Sequence, residues 1–185
     1  MSSRITRRHA VGALASSICL PSIAMSQPSS LPPEVASSLS KAQLQGQASL
    51  RFFGLLVYDA RFWTRGDFEA ERYDSQPFAL ELEYARKLEG PAIAERSIAE
   101  MKRIGDFSDA QSKAWLGLML QAFPDVGAKD RLVGLHDGRG GVRFYFNGKP
   151  TATLADKDYA RLFFGIWLSP RTSSPGLRAS LIGQG

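Results

Sequence analysis

The most apolar run of the chain lies over residues 49–64, where Leu50, Phe52, Phe53, Leu55, Leu56, Val57, Tyr58, Phe62 and Trp63 crowd together. β-branched and aromatic residues favour strand over helix. Apolar side chains point both ways between Phe52 and Tyr58, which predicts a central strand covered on both faces. Gly54 interrupts it, as a bulge or a close approach by another group would. Arg51 enters that apolar surface and so needs a partner or a route to water. The strand starts near Leu44 and breaks at Arg65-Gly66-Asp67, which reads as a turn. Residues 78–84 alternate apolar and polar, the mark of a half-buried strand. Gly90-Pro91 starts a helix with an apolar stripe of Ile93, Ile98, Met101 and Ile104, closed by Gly105. Ser108-Asp109-Ala110-Gln111 is a capping box, and its helix sets Trp115, Leu118, Met119 and Ala122 on one face. Strands over 131–136 and 142–146 follow, and Asn147-Gly148 joins the second to a strand over 149–154. Asp156 caps a helix reaching Leu168 that is apolar nearly all round and therefore buried. Ser174-Pro175 opens a last short helix to Leu181. This order predicts an α+β protein with helices layered on an antiparallel sheet.

The ends modify that picture. Residues 1–24 combine a basic start, a short apolar stretch and the small residues Ser22-Ile23-Ala24, the pattern of an export signal. The stretch is too short to span a bilayer as a helix. Arg7-Arg8 fits the twin-arginine route, while the residues that follow leave the general secretory route open. Residues 25–41 are rich in Ser and Pro and read as a flexible leader with a helical turn near Glu34. The domain then spans 42–185. The location expected is periplasmic or secreted, with no integral membrane segment after signal removal. Loss of Arg4, Arg7 and Arg8 with the signal takes the net charge from +5 to about +2. Scattered basic residues at that balance exclude nucleic-acid binding.

The chemistry available to such a chain is limited. Its one cysteine, Cys19, falls in the signal, which leaves no disulfide, no thiol nucleophile and no cysteine ligand. His136, beside the Asp137-Gly138 turn, reads as an exposed loop-edge histidine rather than a catalytic base. With His9 inside the signal, no metal site can be assembled from the one remaining histidine without a carboxylate cluster. Gly138, Gly140 and Gly141 lie between two strands, so they are not a dinucleotide fingerprint, and no cofactor is implied. What remains is Arg51, Arg96 and Arg171-Thr172 near apolar surfaces, with Tyr58, Tyr84, Trp63 and Trp115 able to line a cavity. An apolar pocket holding an arginine or two suits a partner with a greasy body and an anionic or phenolic end. Equally, the arginines can pair with Glu81, Glu83, Glu95 and Glu100 while the aromatics fill the core.

Three motifs taken together carry a resemblance. The run Leu-Arg-Phe-Phe-Gly-Leu-Leu-Val-Tyr at 50–58, Leu88-Glu89-Gly90-Pro91 opening a helix, and Phe-Phe-Gly-Ile-Trp-Leu-Ser-Pro-Arg-Thr at 163–172 resemble the bacterial exported branch of the chalcone isomerase-like proteins. The resemblance covers about 42–183. It implies an open-faced β-sandwich, a large antiparallel sheet with a helical layer and a ligand cleft between them. The catalytic roles of plant chalcone isomerases fall near Lys41 and at Phe53, Ile93 and Glu100. Their threonine, tyrosine and asparagine are not retained, so the hydroxyl network of that mechanism is missing. The family also holds fatty-acid-binding members, in which an arginine and a tyrosine hold the carboxylate. The expectation is therefore a non-catalytic binder of a fatty-acid-like ligand. An isomerase or intramolecular lyase with a rebuilt site, and a structural partner in an envelope complex, are the alternatives.

Overall fold

A computed structural model describes residues 30–184. The expected export signal and residues 25–29 of the leader lie outside them. Six strands form one antiparallel sheet in chain order: β1 (Gln43–Phe52), β2 (Leu55–Thr64), β3 (Pro77–Tyr84), β4 (Arg131–Asp137), β5 (Gly141–Phe146) and β6 (Lys149–Ala155). The helices are α1 (Pro33–Ser38), α2 (Gly90–Ile104), α3 (Asp109–Ala122), α4 (Lys157–Leu168) and α5 (Pro175–Leu181). The capping box at Ser108 and Gln111 forms as its spacing requires, and Asp156 caps α4 through the amides of Asp158 and Tyr159.

The expected central strand over 49–64 is instead a hairpin. Phe53 and Gly54 take φ of 47° and 77°, making a two-residue turn between the paired residues Phe52 and Leu55. Positive φ at both turn positions matches the twist of the flanking strands. Gly54 is therefore a turn residue rather than a bulge, and β1 lies at the sheet edge. Apolar side chains point both ways there because the tip runs out beyond the covered sheet: Phe52, Phe53 and Leu55 are 62%, 90% and 57% exposed. Arg51 is exposed with them, and its guanidinium donates to the Gly54 carbonyl at 3.2 Å.

Strand alternation gives the sheet two faces. Phe62 of β2, with Phe78, Leu80, Leu82 and Tyr84 of β3, packs under α2, α3 and α4 in the main core. The opposite face carries Trp63, Ala79, Val133 and Leu135, covered by Val35 of α1 and by Leu39 just after it. Residues 33–39 are therefore not a flexible leader. Two buried apolar side chains one helical turn apart and an ion pair of 2.8 Å from Glu34 to Arg131 hold them to the sheet. Beside that cluster Glu81 is buried between Arg61 at 2.9 Å and the Trp63 indole at 2.9 Å. This ionic surface is the open side of the sandwich.

His136 also departs from expectation. It is buried on β4, with ring centroids 5.1 Å from Phe78 and 5.7 Å from Phe164. Its Nδ1 lies 3.0 Å from the Gln76 carbonyl, which places the ring proton on Nδ1. Burial lowers its pKa below 6.5, and the hydrogen bond to Gln76 opposes that only in part. The unfolded chain then takes up the proton first as pH falls. Stability is full above about pH 6.5 and declines below it as the folded-state pKa is approached. Urea midpoints measured across that range should fall more steeply for the wild type than for His136→Leu. Parallel curves would show that the ring carries no such burial cost.

Candidate functional site

Between the sheet and the helices the packing stops short of closure. A cavity of about 380 Å³ is walled by Leu50 and Phe52 of β1, Val57 and Tyr58 of β2, and Leu80, Leu82 and Tyr84 of β3. Its roof is Ala92, Ile93, Arg96, Ser97 and Glu100 on one face of α2, with Phe163, Ile166 and Trp167 of α4 and Leu177 of α5. The start of α2 is fixed by the amide of Gly90, which donates to Asp125 Oδ1 at 2.9 Å. The exposed members of the lining, Phe52, Arg86, Ala92, Arg96 and Ser173, mark the opening.

The polar groups of this greasy space gather around two tyrosines. Tyr58 and Tyr84 are cross-strand partners with rings 5.9 Å apart and nearly perpendicular. The Trp167 indole donates to the Tyr58 oxygen at 3.0 Å. Among the described residues neither tyrosine hydroxyl proton has an acceptor. Burial pushes the Tyr58 pKa up to about 12, only partly offset by the hydrogen bond from Trp167, and pushes Tyr84 well above its ordinary range. Both hydroxyls are thus neutral donors at physiological pH. On α2 the buried Glu100 carboxylate pairs with Arg96 at 2.6 Å and lies 3.7 Å from Arg103. Arg96 is 70% exposed, and a guanidinium has five N–H donors, so most of its donor capacity stays open to a ligand. No group of His, Cys, Asp or Glu among the described residues is placed to hold a metal ion.

Of the side chains singled out in the sequence, the fold brings Tyr58, Tyr84 and Arg96 together. Arg51 is directed away because its neighbours Leu50 and Phe52 face the cavity and alternation sends it to the other side. Trp63 is on the opposite face of the sheet, bonded to Glu81. Trp115 is buried against Phe107 and Tyr159, with its indole donating to the cap residue Asp156 at 2.9 Å. Arg171 is exposed in the loop after α4. Thr172 closes α4, donating to the Ile166 carbonyl at 2.6 Å and accepting from the Ser174 amide. Of the positions implied by the resemblance, Ile93 and Glu100 line the cavity, Phe53 sits in the hairpin turn and Lys41 is exposed. Trp167, Arg86 and Ser97 line the cavity without having been singled out. Trp167 did carry a signal: it follows Tyr159 and Phe163 at helical spacing.

No family model matches the chain. An uncharacterized protein of Haemophilus influenzae is 30% identical over 115 residues, 60% of this chain and 54% of that protein. The chain thus spans about half the length of the relative it matches. A crystal structure of a fatty-acid binding protein from Arabidopsis thaliana superposes with a TM-score of 0.61. The match covers 89% of this chain and 95% of that one at 12% identity. That likeness is one of fold. The six-stranded antiparallel sheet with its main helical layer on one face is the chalcone isomerase-like α+β architecture anticipated from the sequence.

The buried Tyr58 makes the cavity sensitive to alkali. Its pKa rises from 10.0 in the unfolded chain to about 12, so the stability it confers is present below pH 10 and is lost as pH rises towards 12. Urea midpoints over that interval should fall less in Tyr58→Phe than in the wild type. Identical slopes would place the hydroxyl in water.

Proposed function

We propose that this is an exported protein of the bacterial chalcone isomerase-like branch that binds an elongated apolar ligand with an anionic end, fatty-acid-like, without transforming it. The observation that carries the reading is the pairing of donors that are not fully engaged with an apolar cavity. Two neutral tyrosine hydroxyls and the Arg96 guanidinium border a space of about 380 Å³ that is otherwise apolar. That volume falls in the range of roughly 300–1,000 Å³ usual for small-molecule pockets, which are mostly apolar with a few convergent polar groups. A carboxylate accepting from such donors gains about 1.5–3 kcal/mol per charge-assisted hydrogen bond. Glu100 does not repel it outright, because Arg96 and Arg103 flank that carboxylate and Arg86 adds a further positive charge at the opening. The solved structure of similar fold is described as a fatty-acid binding protein, which agrees with this chemistry. Export rests on the sequence pattern of residues 1–24.

Glu100 favours a second reading, an isomerase or intramolecular lyase with a rebuilt site. A buried carboxylate beside two hydroxyls can hold or move a proton on a bound ligand. A phenol-bearing enone incubated with the protein separates the two. Loss of the enone absorbance that disappears in Glu100→Gln supports chemistry, whereas binding without turnover supports a carrier.

Oleate titration by calorimetry tests the main reading. The wild type should show saturable binding that Leu82→Trp abolishes by filling the cavity while circular dichroism stays native. Tyr84→Phe should weaken oleate binding about tenfold or more through the lost hydrogen bond to the carboxylate. A long-chain alcohol should bind more weakly than the acid and be less sensitive to Tyr84→Phe. Equal affinity for oleate in all three proteins would refute the site.

A further inference from the structure

Two hairpins of this sheet use the same turn. Asn147-Gly148 takes φ of 48° and 81°, and Phe53-Gly54 takes 47° and 77°. Asparagine is well suited to the first position of such a turn, whereas a bulky aromatic residue at positive φ is strained. Phe53 carries that strain with its side chain 90% exposed, touching only the neighbouring Phe52 ring among the aromatics, at 4.5 Å. Phe52 and Leu55 flank it, 62% and 57% exposed. Among the described residues, the Phe52 ring and the Arg51 hydrogen bond to the Gly54 carbonyl are the contacts recorded at this turn, and they leave the Phe53 ring uncovered.

Cations gather towards this tip, and the carboxylates Asp59, Glu83 and Glu89 lie just outside the segments that carry them. Residues 50–58 and 84–88 contain Arg51, Arg86 and Lys87 and no carboxylate. The second segment lies beside the first, because the Ala85 amide donates to the Val57 carbonyl at 2.9 Å. All three cations are exposed. We propose that the Phe52–Leu55 hairpin tip docks the protein on an anionic lipid bilayer, with the aromatic side chains entering the interfacial layer and Arg51, Arg86 and Lys87 meeting the headgroups. A second copy of the chain is a poorer fit. A stable dimer buries about 1,200–2,000 Å² in all, more than three side chains on a protruding tip offer. Phe52 and Arg86 also border the cavity, so docking sets its opening against the lipid.

The surface is tested without any cavity ligand, so it stands or falls separately from the binding function. Co-sedimentation is measured with vesicles of phosphatidylethanolamine and phosphatidylglycerol in equal parts, and with vesicles of phosphatidylcholine alone. Wild type and Phe53→Asn are compared in the same form, so any contribution of residues 1–29 cancels. Phe53→Asn adopts the residue of the twin hairpin and should keep or raise the thermal midpoint while weakening binding to the anionic vesicles about tenfold or more. Arg86→Gln with Lys87→Gln should abolish the preference for anionic over neutral vesicles. Equal vesicle binding by wild type and Phe53→Asn overturns the proposal. So does a wild-type dimer that Phe53→Asn dissociates, which would make the tip a self-association surface.

Discussion

Three rings on α4 set the distance between the helical layer and the sheet. Tyr159, Phe163 and Trp167 follow one another at four-residue intervals, so a helix puts them in a column on one face. The Tyr159 and Phe163 rings are stacked with centroids 5.3 Å apart, and Phe163 meets Trp167 at 5.5 Å. Trp115 buttresses the lower end from α3 through Tyr159 and the cap residue Asp156. At the upper end the Trp167 indole reaches the sheet and donates to Tyr58. Phe164, one residue off this column, comes so close to the sheet that a Cβ at Gly134 would lie 3.0 Å from its ring. The helix thus meets the sheet at Gly134 through the Phe164 ring and at Tyr58 through the Trp167 indole, and all four residues line the space left between. That space is the cavity.

That geometry also decides the electrostatics. The column ends on a tyrosine whose oxygen is used as an acceptor, so its proton remains to be given away. Tyr84, its cross-strand neighbour, is buried by the same layer and likewise stays protonated. Among the described residues the full charges at the lining come from α2 and from the segment after β3, where Arg96, Glu100 and Arg86 meet solvent or one another. An apolar interior bordered by neutral donors and an under-used guanidinium matches the chemistry of the proposed ligand, a long body with an acceptor end.

Much of the architecture could be read from residue pattern because local and global preferences agree. The alternation of Phe78, Leu80, Leu82 and Tyr84 places β3 and its faces, and Asn147-Gly148, Ser108-Gln111 and Asp156 mark a turn and two helix starts. The first hairpin was hidden by a residue that contradicts its own backbone: Phe53 in a turn that prefers asparagine or glycine gives no turn signal. That one misreading carried β1 to the sheet centre and Arg51 into the core. The helical turn near Glu34 is legible in residues 33–39 but its docking on the sheet is not, because only Val35 and Leu39 in a Ser- and Pro-rich segment carry the packing. His136 looked peripheral beside a turn, yet β4 is buried on both faces up to it. For the site, residue type alone could not separate aromatics that bound the cavity from those that fill the core. Trp63 and Trp115 satisfy their indoles with carboxylates, while Trp167 does so with a tyrosine at the cavity wall. Only the three-dimensional path of α4 distinguishes them.

Native mass spectrometry of the protein purified from the cells that make it, without detergent, tests the central claim most directly. A cavity shaped and charged in this way should retain a long-chain acid. The spectrum should show a bound mass that is released on denaturation and matches a fatty acid. It should be missing when Leu82 is replaced by tryptophan. A single unliganded mass for both proteins, or a retained species with no acidic group, would contradict the account.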